Sequence, residues 1–339
     1  MERSILTLCR LLGNMVVMGV SLLVAARMQA QNLFVACQNT TTILQITPEG
    51  MRSGFAPYGN GMLAFDSGGN LFAAGGSYVY ELTPSGVPST FATGLTNAYG
   101  LAFDGSGNLF VAEYSPVSGR IIEITPGGVQ STFATGLKEV LGLAFNSAGD
   151  LFVPEYVSGN IYEYTPGGVQ STFISGLHQP SAVAFDGAGN LYVSVGGISS
   201  GVYEFKLDGT TNFFALGGAL QGVAFNSAGD LFVATYGTQT QDAIYEFTPN
   251  GVQSTFISLG YIQPRNIAFQ PIPELATVVS NGAVQLTVTM PSPYKSTIVQ
   301  ASADLVNWTS VYTNTPPFTF TDPMETTIMS RFYRAVLQP

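Results

Sequence analysis

Two carboxylates stand at matching places in neighbouring copies of a repeated segment, Glu113 in Leu109-Phe-Val-Ala-Glu and Glu155 in Leu151-Phe-Val-Pro-Glu. Carboxylates held close together share a proton, which raises one pKa, or grip a divalent cation such as calcium or magnesium. A tyrosine follows each of them, Tyr114 and Tyr156, and Tyr236 occupies the corresponding place in a later copy. Tyr99, Lys138, Glu139, His178 and Arg265 fall in the connections that lead from one copy to the next. A mixed polar and aromatic set of this kind suits a sugar or a small acid. His178 is the sole histidine, so any imidazole acid or base must be this one. The expected ligand-binding set is therefore Tyr99, Glu113, Tyr114, Glu155, Tyr156, His178, Tyr236 and Arg265. Within it Glu113 and Glu155 are the candidate metal ligands and His178 the candidate catalytic group. The plainer alternative is that each is a solvated loop residue, and that a histidine beside Pro180 is structural. Cys37 has no identifiable base near it and is a weak candidate nucleophile.

Six copies of one pattern must position these side chains. They begin at Asn32, Asn70, Asn108, Asp150, Asn190 and Asp230, each followed by Leu, an aromatic residue and a short apolar run. A second pattern, an apolar residue with Ala-Phe, ends at Phe65, Phe103, Phe145, Phe185, Phe225 and Phe269. A period near 40 residues, with short β-branched and aromatic runs between Gly-rich turns, is the signature of a four-stranded propeller blade. In one unit, 100–103 is strand A, 108–112 strand B, 120–125 strand C and 129–135 strand D. The A-to-B turn reads Asp104-Gly-Ser-Gly-Asn, where Asp bonds backbone amides and Gly accepts positive φ. These turns lack the dense ligand spacing of a calcium loop and read as turn stabilisers. The acidic column at Glu81, Glu123, Glu163, Glu204 and Glu246, with Gln45 in the first copy, lies on strand C, well out from the axis, and reads as separate rim contacts.

The copy at Asn32 has no strand A before it, and the stretch 265–269 is a strand A with nothing of the repeat after it. Joined, they complete a sixth blade and close the ring, so the sequence predicts six blades over 31–270 sealed by its two ends. The uniform A-to-B and C-to-D turns share one face. The variable B-to-C loops (114–119, 236–242) and D-to-A connections (94–99, 136–141, 176–181) then share the other, where loops on a rigid frame carry binding.

Charged residues are only 9% of the chain, far below the roughly 25% usual for soluble domains, which excludes a disordered, coiled-coil or nucleic-acid-coating protein. Arg3 and Arg10 precede the apolar run from Leu11 to Ala26, too short to span a bilayer of roughly 20 residues, and Met28-Gln-Ala offers a cleavage site. Residues 1–30 thus read as a signal peptide for a secreted protein with no transmembrane span in its mature form. Removing them leaves 8 basic and 20 acidic side chains, which argues against nucleic acid as a partner. Cys9 leaves with the leader, so Cys37 has no disulfide partner. After Gln270-Pro-Ile-Pro-Glu the repeat stops. Residues 271–339 read as a small β-sandwich with Trp308 and Phe332 available for its core.

The runs Gly100-Leu-Ala-Phe-Asp-Gly-Ser-Gly-Asn-Leu-Phe-Val-Ala and Arg120-Ile-Ile-Glu-Ile-Thr-Pro-Gly-Gly resemble NHL-type propeller repeats. They are also similar to those of streptogramin lyases and gluconolactonase-like propellers, and the tail resembles a fibronectin type III-like appendage. The resemblance implies an all-β propeller with a small sandwich attached. Streptogramin lyases pair a histidine base with a metal-binding glutamate, and gluconolactonase-like enzymes hold a metal with Glu, Asn and Asp. The segments around His178 and Glu113 match neither motif, so no catalytic role is carried over. The resulting expectation is a scaffold that binds a small molecule, glycan or extracellular protein through its variable face. The rival is a metal-assisted lactonase, hydrolase or lyase using Glu113, Glu155 and His178.

Overall fold

The structure is a computed structural model that describes residues 4–7, 31–58, 61–197, 200–216, 218–236, 242–271, 275–280, 283–288, 296–302, 307, 309–314, 318–323 and 332–338. The chain divides into two compact units, one of residues 31–66 and 70–270, the other of 1–30, 67–69 and 271–339. All regular structure among the described residues is β. No helix there is long and apolar enough to cross a membrane.

The larger unit is a β-propeller whose strands grade from dry to wet. Strands B, such as Leu33–Cys37, Leu109–Glu113 and Leu151–Glu155, are buried at every residue. This explains why their sequences run apolar without the alternation of a half-exposed strand. Strands D, such as Gln130–Leu137 and Gln170–Ile174, are mostly exposed and open on Gln-Ser-Thr. Outside the fifth repeat, each strand B ring packs against its own repeat's strand D ring and the next repeat's strand A ring. Phe110 meets Phe133 and Phe145 edge-to-face at 5.0 and 4.9 Å, and Phe232 meets Phe256 and Phe269 at 5.1 and 4.8 Å. Such pairs contribute about 0.5–1.5 kcal/mol each beyond the area they bury. In the fifth repeat Tyr192 reaches only Phe225, and a cavity of about 240 Å³ lies there.

The ring is sealed as the ends of the array suggest. Leu33–Cys37 pairs antiparallel with Pro264–Phe269, Leu33 opposite Phe269 and Val35 opposite Ile267. Asn32 donates its side-chain amide to Gln270 Oε1 at 3.2 Å, and Gln270 N donates to Asn32 O at 3.0 Å. The same arrangement is local in the other A-to-B turns. Asn108 donates from its backbone and side-chain nitrogens to the two Asp104 oxygens at 2.8 and 2.9 Å. Where the types are exchanged, only the side-chain bond reverses: Asn146 Nδ2 donates to Asp150 Oδ2 at 3.0 Å, while Asp150 N still donates to Asn146 Oδ1 at 2.8 Å. These carboxylates serve their turns.

The expectation of six separate four-stranded blades is corrected in the count of sheets, which among the described residues of the larger unit is five. Four have four strands, and the fifth has six, running from Leu63–Phe65 to Gln130–Leu137. The cause is the second repeat's short B-to-C connection, Gly75-Gly76-Ser77. Strands B and C there run on as Leu71–Leu82, and the following D and A as Pro88–Phe103. Gly76 pairs with Ala98, which also pairs with Glu113, so one residue stitches the second repeat to the third.

Around the axis the strands A crowd one another. A Cβ on Gly142 would lie 2.9 Å from Ser181 O, and one on Gly222 would lie 2.9 Å from the Cα of Asn266, so only glycine fits. Where a side chain is present it bonds across instead. Ser181 Oγ donates to Leu220 O at 3.1 Å, and Asn266 Oδ1 accepts from Leu63 N at 2.9 Å.

In the smaller unit, Leu275–Ser280, Ala283–Val288 and Phe318–Pro323 form one antiparallel sheet. Ser296–Ser302, Thr309–Asn314 and Phe332–Gln338 form another, which Ser4–Thr7 joins at its edge. Tyr312 and Phe320 stack at 5.0 Å between the two sheets. The segment is β as expected. Its fibronectin-like character is not established by this pairing, and the Trp308 and Phe332 side chains and leader residues 8–30 lie outside what is described.

Candidate functional site

The site is built where each D-to-A connection meets the end of a strand B. Asn97, Glu139, Gln179 and Gln263, six residues before the closing Phe of strand A, all have φ between +50° and +54°. This left-handed conformation costs a residue other than glycine about 1–2 kcal/mol. It turns the carbonyl inward to accept from the first amide beyond strand B: Tyr114 N to Asn97 O at 3.0 Å, Tyr156 N to Glu139 O at 3.4 Å, Gly196 N to Gln179 O at 3.3 Å and Gln38 N to Gln263 O at 3.0 Å.

Glu113 and Glu155 hold the same connections from below. Both are buried, and each accepts a backbone amide at 2.7 Å, from Thr96 N and Lys138 N respectively. The other Glu113 oxygen is ion-paired with Arg120, and that of Glu155 accepts from Tyr162 Oη at 3.5 Å. Buried Asp242 holds a further connection by accepting from Gln263 N at 2.7 Å. Both oxygens of each glutamate are thus engaged within the protein. Among the described residues no three His, Cys, Asp or Glu side chains are grouped to hold a metal ion.

Above them lies a cleft of about 400 Å³ lined by Asn97, Tyr99, Tyr114, Glu139, Leu141, Tyr156, Gln221, Tyr236 and Arg265. The lining comes from the first, third, fourth and sixth repeats and so bridges the axis on the variable face. The Arg265 guanidinium donates through Nε to Gln38 Oε1 at 2.8 Å and through Nη1 to Tyr99 Oη at 3.2 Å and Gln221 Oε1 at 3.3 Å. Its Nη2 also donates to Gln38. The Tyr99 and Tyr114 rings stand 6.0 Å apart. Burial raises the Tyr99 pKa, against the opposing pull of Arg265. Burial also raises that of Tyr114, with Glu139 adding to it by charge and hydrogen bond. Tyr156 is raised by burial, then by Tyr236 and Glu139. All three phenols thus keep their protons at neutral pH and can donate.

The cleft therefore brings together Tyr99, Tyr114, Tyr156, Tyr236 and Arg265 from the expected set, and leaves Glu113, Glu155 and His178 out of its lining. His178 is exposed, its Nδ1 3.1 Å from Gly196 O and its ring lying over Gly197. Lys138 contributes a backbone amide. Burial pushes the Cys37 thiol up to about 12, so it stays protonated. Sequence reasoning missed Asn97, Leu141 and Gln221. The last two stand four residues before the closing Phe, as Tyr99 and Arg265 do, so aligning the repeats on that Phe finds them.

No family model and no curated protein matches this chain. Solved structures do. A luciferin-regenerating enzyme is 15% identical, covering 70% of this chain and 92% of its own, with a TM-score of 0.56. Virginiamycin B lyase from Staphylococcus aureus is 16% identical, covering 76% and 88%, with a TM-score of 0.53. A protein of unknown function from Bacteroides caccae is 14% identical, covering 71% and 99%, with a TM-score of 0.56. Identities this low establish the shared propeller fold and nothing about activity.

Proposed function

We propose that this chain is a secreted, six-bladed, NHL-like propeller that binds a small molecule in the cleft of its variable face. The C-terminal residues then serve as a fibronectin-like spacer or surface attachment. The observation that carries the reading is the convergence of Tyr99, Tyr114, Tyr156, Tyr236 and Arg265, which come from four repeats, on one cleft of about 400 Å³. That volume lies within the range of small-ligand sites, roughly 300–1,000 Å³. Six blades are supported by six ring contacts between successive repeats, the last from Phe232 to Phe269, with two blades sharing the six-stranded sheet. Secretion is supported by Arg3 and Arg10 ahead of the apolar run. Expression in a bacterium with N-terminal sequencing of the exported product tests it, Gln31 being the first residue expected.

The rival, a metal-assisted lactonase or lyase, has the fold of its structural neighbours in its favour, but its supposed ligands are committed to Thr96, Arg120, Lys138 and Tyr162. Calorimetric titration with calcium, magnesium and zinc separates the two. We expect no tight binding that disappears on Glu113→Gln with Glu155→Gln, and such a loss revives the enzyme. Binding of compound libraries to the wild type, weakened on Tyr156→Ala, is the positive test for the cleft.

A further inference from the structure

Arg265 is half-buried in the cleft wall and paired with no acid. Among the described residues the ion pairs are Arg120 with Glu113 and Lys206 with Glu204. Instead neutral groups orient it. Gln38 takes Nε and one Nη2 proton, and Tyr99 and Gln221 take the Nη1 protons. One of the five guanidinium N–H donors is left over. Tyr99 Oη accepts from Arg265, so its own proton is also free to donate, and burial keeps that proton in place. The spare N–H is on Nη2, and the Tyr99 hydroxyl is bonded to Nη1 of the same guanidinium, so the two spare donors belong to one bonded pair that carries one positive charge. That is the complement of a carboxylate, whose two oxygens share one negative charge.

Resting on the cleft as a binding site, we propose that its ligand is a small monocarboxylic acid with a hydroxylated ring. The carboxylate is taken by Arg265 and Tyr99. The ring lies among Tyr114, Tyr156 and Tyr236, and a hydroxyl donates to Glu139, which also repels a second negative charge. A sugar acid and a hydroxylated aromatic acid share this chemistry.

The test titrates the full chain with D-glucuronate, 4-hydroxybenzoate and their uncharged amides, followed by ligand-observed NMR and calorimetry. At least one acid is expected to bind tenfold or more tightly than its amide, and which acid does so identifies the ring. Arg265→Gln should bring that acid to the level of its amide, weakening the acid tenfold or more and the amide far less. Tyr99→Phe, which keeps the ring, should weaken the acid several-fold, and serves should Arg265→Gln not fold. Acid and amide binding equally, both weakened by Tyr156→Ala, overturns the carboxylate assignment and leaves the cleft reading intact. No binding by any of the four, or binding indifferent to Arg265→Gln and Tyr156→Ala alike, overturns both.

Discussion

Tyr164 closes strand C of the fourth repeat at a place where the other repeats put Ile46, Leu82, Ile124, Phe205 and Phe247. Its hydroxyl is buried without a hydrogen-bond partner, and burial pushes its pKa up to about 12. Removing an unsatisfied group releases a desolvation penalty. Tyr164→Phe should therefore match the wild type in urea unfolding or exceed it by about 1 kcal/mol. The same residue and Cys37 shape the alkaline limb. Both have folded pKa values raised above their ordinary 10.0 and 9.0, so the folded chain holds protons that the unfolded chain releases. Stability is intact below pH 9 and falls as the pH rises toward 12. The doubly substituted Cys37→Ala, Tyr164→Phe protein should show a shallower fall over that range. Glu155→Ala strands the Lys138 amide and should cost about 2 kcal/mol, while Glu155→Gln keeps an acceptor and should cost less. The positions of Glu113 and Glu155 were legible in the repeat, but their role was not. The amides that claim them belong to a connection about 17 residues upstream, and nothing in the local sequence announces that approach.

Among the elements, strands A to D and their turns followed directly from the pattern of apolar runs and Gly turns, because each strand's burial depends on its rank from the axis. The sheet count did not. It depends on whether a three-residue connection at Gly75 breaks hydrogen bonding or bends through it, and a repeat length of 38, which the first repeat shares, is a faint cue. The axial packing was equally silent in sequence, since Gly142 and Gly222 look like any strand glycine until their neighbours from the next repeat arrive. Gly222→Val pushes against the Asn266 backbone and should destabilise by about 1–3 kcal/mol, measured by denaturant midpoint. Asn266→Ala, by leaving Leu63 N without its acceptor, should cost a similar amount at the contact between the first and second repeats.

For the whole molecule, ring closure was the most legible feature, because a missing strand at one end of the array and a surplus one at the other have a single economical resolution. The cleft was half legible: repeat asymmetry marked its tyrosines and Arg265, while their meeting across the axis needed coordinates. Closure makes a sharp prediction about length. A chain ending after Gln270 keeps the complete seam and should stay soluble with an unchanged melting temperature for its propeller. One ending after Gln263, seven residues shorter, leaves Leu33–Cys37 without its neighbour and should aggregate or lose cooperative melting. The same pairing sets a timetable for synthesis. At the ordinary pace of about 5–20 residues per second, the partner of Leu33–Cys37 leaves the ribosome roughly 10–50 s after that strand does. For that interval the oldest part of the wheel is its stickiest, and a chaperone that shields it would be guarding a place reserved for the youngest.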